Sequence, residues 1–184
     1  MSDGSSRAPG TTSRFVGKYR ATVLQNVDPE QRGRLQLEIP DVFGAIPSTW
    51  AEPCVPLAGP TGPPMGVYMV PPIGAGVWAE FERGDPNYPL WVGCRWGSQA
   101  DIPTMAKAGL PTSPNIVMQT LQQHCLVLSD SPSSPGTGGI MLQSATKAMI
   151  VVNDSGIYIS NGKGAAIQLV GPTVSINNGA LSIT

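Results

Sequence analysis

The feature that most constrains the fold is a short repeat that occupies the chain from residue 140 onward. Six alternating apolar segments follow one another: Ile140–Gln143, Met149–Val152, Ile157–Ser160, Ala166–Leu169, Thr173–Ile176 and Leu181–Ile183. One central aliphatic from each, Leu142, Ile150, Ile159, Ile167, Ile176 and Ile183, recurs at spacings of eight, nine, eight, nine and seven residues. Turn-forming stretches separate them, such as Asn153-Asp154-Ser155-Gly156, Asn161-Gly162-Lys163-Gly164 and Asn177-Asn178-Gly179. A period this short holds one strand and one turn. Each strand then offers two or three inward aliphatics, too few for a core inside one chain, and short strand pairs are marginal alone. Three copies wrapped on a common axis supply the missing partners. Six layers of three then bury side chains worth roughly 1.5–3 kcal/mol each on full burial, and closing the sheet between chains removes exposed edges. The repeat predicts an intertwined, triple-stranded β-helix needle over residues 121–184, with those six residues as its trimer-axis core.

The rest of the chain has another character. Residues 1–100 hold seventeen of the 23 charged residues and all four tryptophans, whereas Tyr158 is the sole aromatic beyond residue 100. Large rings need a thick core, so the two parts are expected to differ in architecture. Gly and Pro total 41 residues, which favours short strands and turns over helices. The net charge of −1, with acids and bases interspersed, offers no basic field to nucleic acid or to a membrane surface.

Residues 14–97 read as five strands. Phe15–Asn26 alternates through Tyr19, Ala21 and Val23 to the turn dipeptide Asp28-Pro29. Gly33–Ile39 alternates Leu35, Leu37 and Ile39 with polar residues, and Trp50–Leu57 is broken by prolines, the mark of an irregular or edge strand. Gly76–Glu82 and Leu90–Trp96 flank the turn Gly84-Asp85-Pro86-Asn87. Five short strands in this length predict a small OB-type barrel, making the whole chain all-β. Residues 1–13, rich in Ser, Gly, Pro and Thr, read as a flexible N-terminal arm, and residues 98–120, without periodicity, as a linker or collar. One further strand is expected at Cys125–Leu128 and a flexible turn at Ser131–Gly139.

These residues carry a resemblance. Gly17-Lys18-Tyr19-Arg20-Ala21-Thr22-Val23, Asn26-Val27-Asp28-Pro29 and Gly33-Arg34-Leu35 resemble the OB domain of the phage baseplate spike family, which includes baseplate assembly protein V and the VgrG spikes of type VI secretion. The likeness continues through Trp50, Pro71-Pro72-Ile73-Gly74, Val77-Trp78-Ala79-Glu80-Phe81 and Gly84-Asp85-Pro86-Asn87-Tyr88-Pro89 to Leu90-Trp91-Val92-Gly93, and the C-terminal repeat is similar to the family's triple-stranded β-helix. The resemblance implies a structural, non-enzymatic homotrimer at the centre of a contractile injection machine (phage tail, tailocin or related system), seated on a trimeric hub below the tube. It would puncture the target envelope on sheath contraction, touching the target membrane only transiently. Two departures stand out. The roughly twenty residues between barrel and needle are too few for the lysozyme domain some spikes carry, and no histidine pair ends the chain to hold an iron, His124 being the single histidine. A needle ending at Leu181 and Ile183 is blunt and apolar, which by the resemblance implies a PAAR-like tip protein bound there.

No catalytic constellation is expected. Glu80 and Glu82 share the wet face of one strand and Asp85 sits in a turn, Gly74-Ala75-Gly76 lacks the remainder of a nucleotide fingerprint, and no GxSxG is present. No cofactor or metal is expected. Cys54, Cys94 and Cys125 read as idle thiols of a protein made in a reducing cytosol, a Cys54–Cys94 bridge being the alternative. With neither an apolar signal segment nor a transmembrane stretch, the chain is expected to reach a particle from the cytoplasm without a signal peptide. The rival reading is an OB-fold binder of single-stranded nucleic acid or carbohydrate, in which Trp50, Trp78, Trp91 and Trp96 stack on the ligand and the C-terminal repeat serves only as a trimerising tail.

Overall fold

The computed structural model describes residues 14–59, 62–134 and 137–183; the expected N-terminal arm, 1–13, lies outside them. The chain divides into two compact units, 1–97 and 98–184. Both are built of β-strands, with helix confined to one four-residue α-turn, α1 (Pro40–Phe43), and short 3-10 turns.

In the first unit β1 (Tyr19–Gln25), β2 (Gln36–Glu38), β3 (Glu52–Pro53), β4 (Gly76–Phe81) and β5 (Pro89–Arg95) form one sheet in the order β2-β1-β4-β5-β3. All pairs are antiparallel except β3 with β5. A bridge between Leu35 and Ala51, with both N–H···O bonds made, joins the two edges of the sheet. This connectivity is that of the OB barrel. Four of the strands fall inside the segments expected from the sequence, and β5 begins one residue earlier, at Pro89. The third is short because Pro53 and Pro56 interrupt the ladder. Alternation sets the core: Ala21, Val23, Leu37, Val77, Ala79, Phe81 and Trp91 point inward and are buried. Phe15, Tyr19 and Phe43 pack ring edges against Phe81 at centroid distances of 5.5–6.0 Å.

The β1–β2 connection is tied by Asp28, a buried carboxylate. Its oxygens accept from the backbone N–H groups of Glu30 (3.0 Å), Arg32 (2.8 Å) and Arg34 (3.3 Å), and from Arg34 Nε (3.1 Å) and Nη2 (2.7 Å). The Arg34 guanidinium lies over the Trp50 ring at 5.6 Å, and the Trp91 indole N–H donates to the Gly33 carbonyl at 3.0 Å. The Arg34 hydrogen bonds, with the backbone N–H groups adding to them, hold the Asp28 carboxyl far below its ordinary value of 3.8. A depressed carboxylate stabilises the fold above its unfolded value and loses that contribution as pH falls toward the folded one. The barrel's melting temperature should therefore decline below about pH 4 partly through Asp28. Asp28→Asn should lower it at pH 7 by on the order of 10 °C, and the gap between the two proteins should close on acidification. Calorimetry from pH 7 to pH 2 checks this, and a gap independent of pH would refute the assignment.

The second unit is one eight-stranded antiparallel meander, each strand pairing with the next in sequence: β6 (Ile116–Gln119), β7 (Cys125–Ser134), β8 (Thr137–Gln143), β9 (Met149–Asn153), β10 (Gly156–Ser160), β11 (Ala166–Val170), β12 (Thr173–Ile176) and β13 (Leu181–Ile183). The last six match the sequence repeat. Two expectations differ from the structure. The segment 98–120 is not a plain linker, because its end supplies β6 and its 3-10 turn at Thr104–Lys107 packs Met105 against the sheet. The segment Ser131–Gly139 is not simply a turn, because β7 and β8 run on to Ser134 and from Thr137; residues 135–136 lie outside the described ones.

Side chains close the turns that separate the repeats. Asn153 Oδ1 accepts from the N–H groups of Ser155 and Gly156, and Asn161 Oδ1 from those of Lys163 and Ala165. Asn177 and Asn178 both take positive φ, the geometry of a tight hairpin turn that Asn tolerates. Gly162 combines positive φ with a place where a Cβ would sit 2.5 Å from the Thr146 carbonyl oxygen, so the turn after β10 stacks on the turn after β8 only because it carries glycine.

Candidate trimerisation face

The register of the meander aligns side chains into rows that cross all eight strands. One row runs Met118, Leu126, Leu142, Ile150, Ile159, Ile167, Ile176, Leu181. Two residues along each strand, hence on the same face, a second row runs Ile116, Leu128, Ile140, Val152, Ile157, Leu169, Val174, Ile183. Every position in both rows is aliphatic. At a spacing of about 4.8 Å between strands the rows are roughly 34 Å long.

The opposite face differs. Its middle row reads Val117, Val127, Met141, Val151, Tyr158, Gln168, Ser175. The apolar part, β6 to β10, is covered: Val127, Met141, Val151 and Tyr158 are buried, with Met105 packed on them. From β11 onward the middle row of this face is polar, with Val170 exposed beside it. The all-aliphatic face has no cover among the described residues of its own unit. Ile150, Ile159 and Ile167 are 43%, 41% and 38% exposed and Leu142, Ile116, Leu181 and Ile183 50–66%, while Leu126, Val174 and Ile176 are half-buried. An unbroken aliphatic strip of this length is far beyond the scattered apolar residues of a soluble surface, so the sheet requires a second layer that its own unit does not supply.

Five of the six expected axis residues, Leu142, Ile150, Ile159, Ile167 and Ile176, fall in one row. Ile183 does not: Ile176 pairs with Leu181, so the last step in that row is five residues and Ile183 lies in the second row, opposite Val174. It shares the same face. The second row, and the forward extension of both rows onto β6 and β7, were absent from the sequence reading. The signal for the second row was present, since each segment carries a second aliphatic two residues from its central one. Leu181 and Ile183 both lie on the edge strand β13, 52% and 58% exposed.

The polar candidates have local roles. Glu80 pairs with Lys18. Asp85 accepts from the backbone N–H (3.0 Å) and side-chain amide (2.9 Å) of Asn87 and so closes its turn. His124 is exposed in the β6–β7 turn, its backbone bonded to Thr120. No group of three or more His, Cys, Asp or Glu gathers among the described residues. Cys54, Cys94 and Cys125 are free thiols. The tryptophans differ in their surroundings. Trp91 is buried and Trp50 lies beneath Arg34, while Trp78 sits on the face of β4 opposite to the inward Val77 and Ala79. Trp96 is exposed.

Two family models match the chain in the same order as its two units. Residues 19–96 match the type VI secretion system/phage-baseplate injector OB domain. Residues 115–182, the stretch that carries the bare aliphatic face, match the phage baseplate V C-terminal trimerisation domain. The chain belongs to the phage baseplate V family. No curated protein sequence matches it. As a baseplate V protein it is a structural component of a phage or type VI secretion baseplate, it forms homotrimers, and it assembles into such a particle. Among the described residues no helix is long and apolar enough to cross a membrane.

Proposed function

We propose that this baseplate V protein is the central spike of a contractile injection machine. Three copies turn their aliphatic faces to a common axis as an intertwined β-helix, with Leu142, Ile150, Ile159, Ile167, Ile176 and Ile183 in its dry interior. The observation that carries the reading is the pair of unbroken aliphatic rows across all eight strands, a face that a single chain leaves bare. A rod whose interior is continuous over its whole length resists bending and axial load, as a puncturing element must. The barrels would seat on a trimeric hub protein below the tube, and the needle would meet the target membrane only during sheath contraction, without acting as an enzyme.

The distal end favours one further component. Strand β13 is the edge of the sheet, so its outer backbone groups have no strand partner, and Leu181 and Ile183 on it are exposed. An apolar end with an open edge is a binding surface, suited to a small PAAR-like tip protein. The experiment is recovery of particles from producing cells, with one trimer expected on the baseplate axis and one small protein on its C-terminal end. Leu181→Asp/Ile183→Asp charges only β13, the edge strand of the eight, so it should fray that layer, leave the trimer held by the other seven, and lose the cap together with envelope penetration. A bare, ordered C-terminal end in a particle map, or a trimer lying off the axis, would overturn the corresponding part.

A further inference from the structure

The barrel carries an apolar excursion whose large side chains are left exposed. Between β3 and β4 the chain leaves the sheet, and Val67 N–H donates to the Leu57 carbonyl (3.0 Å) while Gly59 N–H donates to the Met65 carbonyl (2.7 Å). These bonds, with the bridge between Ala58 and Gly66, pair residues 57–59 with 65–67 as an arm, residues 60–61 lying outside the described ones. Its large apolar side chains stay outside: Leu57, Met65, Tyr68 and Met69 are 47%, 57%, 71% and 57% exposed. Packing onto the barrel core resumes at Val70. From Pro53 to Ala79 the sequence contains no charged residue. Exposed Met and Tyr in a stretch devoid of charge is the composition of a protein interface core, and it lacks the basic residues that nucleic acid or an anionic lipid surface would require.

We infer that this arm packs on the OB barrel of a neighbouring copy, making a second intersubunit contact separate from the aliphatic sheet face. The inference rests on the homotrimer. The trimerisation domain of the same chain holds three barrels together at a local concentration far above that in solution, so an apolar arm on each meets a neighbouring barrel before it meets any other protein. In a three-fold ring such contacts are heterologous: the arm of one copy meets a different surface of the next, and the ring closes after three.

The test uses the purified full-length protein without other baseplate components. With p-benzoyl-L-phenylalanine in place of Tyr68, irradiation should give a chain-to-chain adduct mapping to residues 14–97 of a second copy, identified in trimers mixed from light and heavy isotope-labelled chains. Met65→Asp/Met69→Asp in the same background should keep the trimeric mass and lose the adduct. A trimer that gives no interchain adduct overturns the inference. So does an adduct formed only in assembled particles and only with a different protein, which would assign the arm to a baseplate partner. A monomeric mass would sink the trimer itself and this contact with it.

Discussion

Ile167→Asp is expected to abolish trimer formation. Ile167 stands in the middle of the first aliphatic row, between Ile159 on β10 and Ile176 on β12, with Leu169 two residues away in the second. In an assembled needle the substitution places three carboxylates in one dry layer with no cation within reach. Leaving each charge buried and unpaired costs several kcal/mol. Threefold repetition exceeds what the loss of three isoleucines alone would cost, at roughly 1.5–3 kcal/mol each. The side chains would escape part of the penalty by taking up protons, because burial raises a carboxylate's pKa. Assembly should therefore recover partly at acidic pH. Lys163→Asp is the matched control: Lys163 is exposed in the β10–β11 turn, where Asn161 holds its backbone N–H and nothing depends on its charge. Light scattering at neutral pH should give a trimer for the parent and for Lys163→Asp, and no trimer for Ile167→Asp. Equal tolerance of the two changes would show that this face is not the axis.

Removal of residues 98–115 should be nearly as damaging, although most of that segment lies before the matched trimerisation domain. It is tied to itself and to the sheet. Ser98 and Asp101 cap the first 3-10 turn reciprocally, Asn115 donates its amide to the Met105 carbonyl at 2.8 Å, and Ser113 donates to Asp130 on β7 at 2.7 Å. Met105 then rests on the buried cluster of Cys125, Val127, Met141 and Val151. Without the strap, the apolar half of the outer face is laid open as the inner face already is, and β6 to β10 would be bare on both sides. A protein comprising 98–184 should purify as a soluble trimer. One comprising 116–184 should aggregate, or unfold at a temperature lower by on the order of 10 °C. The milder variant Met105→Ala should cost about 1–2 kcal/mol, since the side chain is only half buried. A fully stable 116–184 trimer would show that the strap is dispensable.

Much of this architecture is local in origin, and that part was legible. Alternation with period two places Val77, Ala79 and Phe81 on one face and Trp78 and Glu80 on the other whatever surrounds them. Asn, Gly and Pro between the repeats specify tight turns through their own backbone preferences. Strand positions in the first unit and in the six repeats of the second, the all-β class and the need for partner chains therefore followed from the residues alone. The lateral arrangement did not. Whether Leu181 or Ile183 stands beside Ile176 depends on how many residues the Asn177-Asn178-Gly179 turn takes up, and a shift of two residues keeps the same face while changing the row. The role of Asp28 was hidden for a related reason. Asp-Pro reads as a turn anywhere, and only the folded chain brings three backbone N–H groups and the Arg34 guanidinium, itself lying over Trp50, to one carboxylate.

The strap and the covered half of the outer face likewise belong to tertiary structure. Residues 98–115 have no periodicity to betray a strand or helix, yet Met105 meets Val127 and Met141 because the chain folds back over β7 and β8. The sequence by itself determined which residues alternate, where the chain turns and that one chain cannot cover its own aliphatic strip, because those properties depend on near neighbours and on counting apolar side chains. Only the tertiary structure decided which side chains form a row and which face is already covered, because both depend on contacts between residues far apart in the chain.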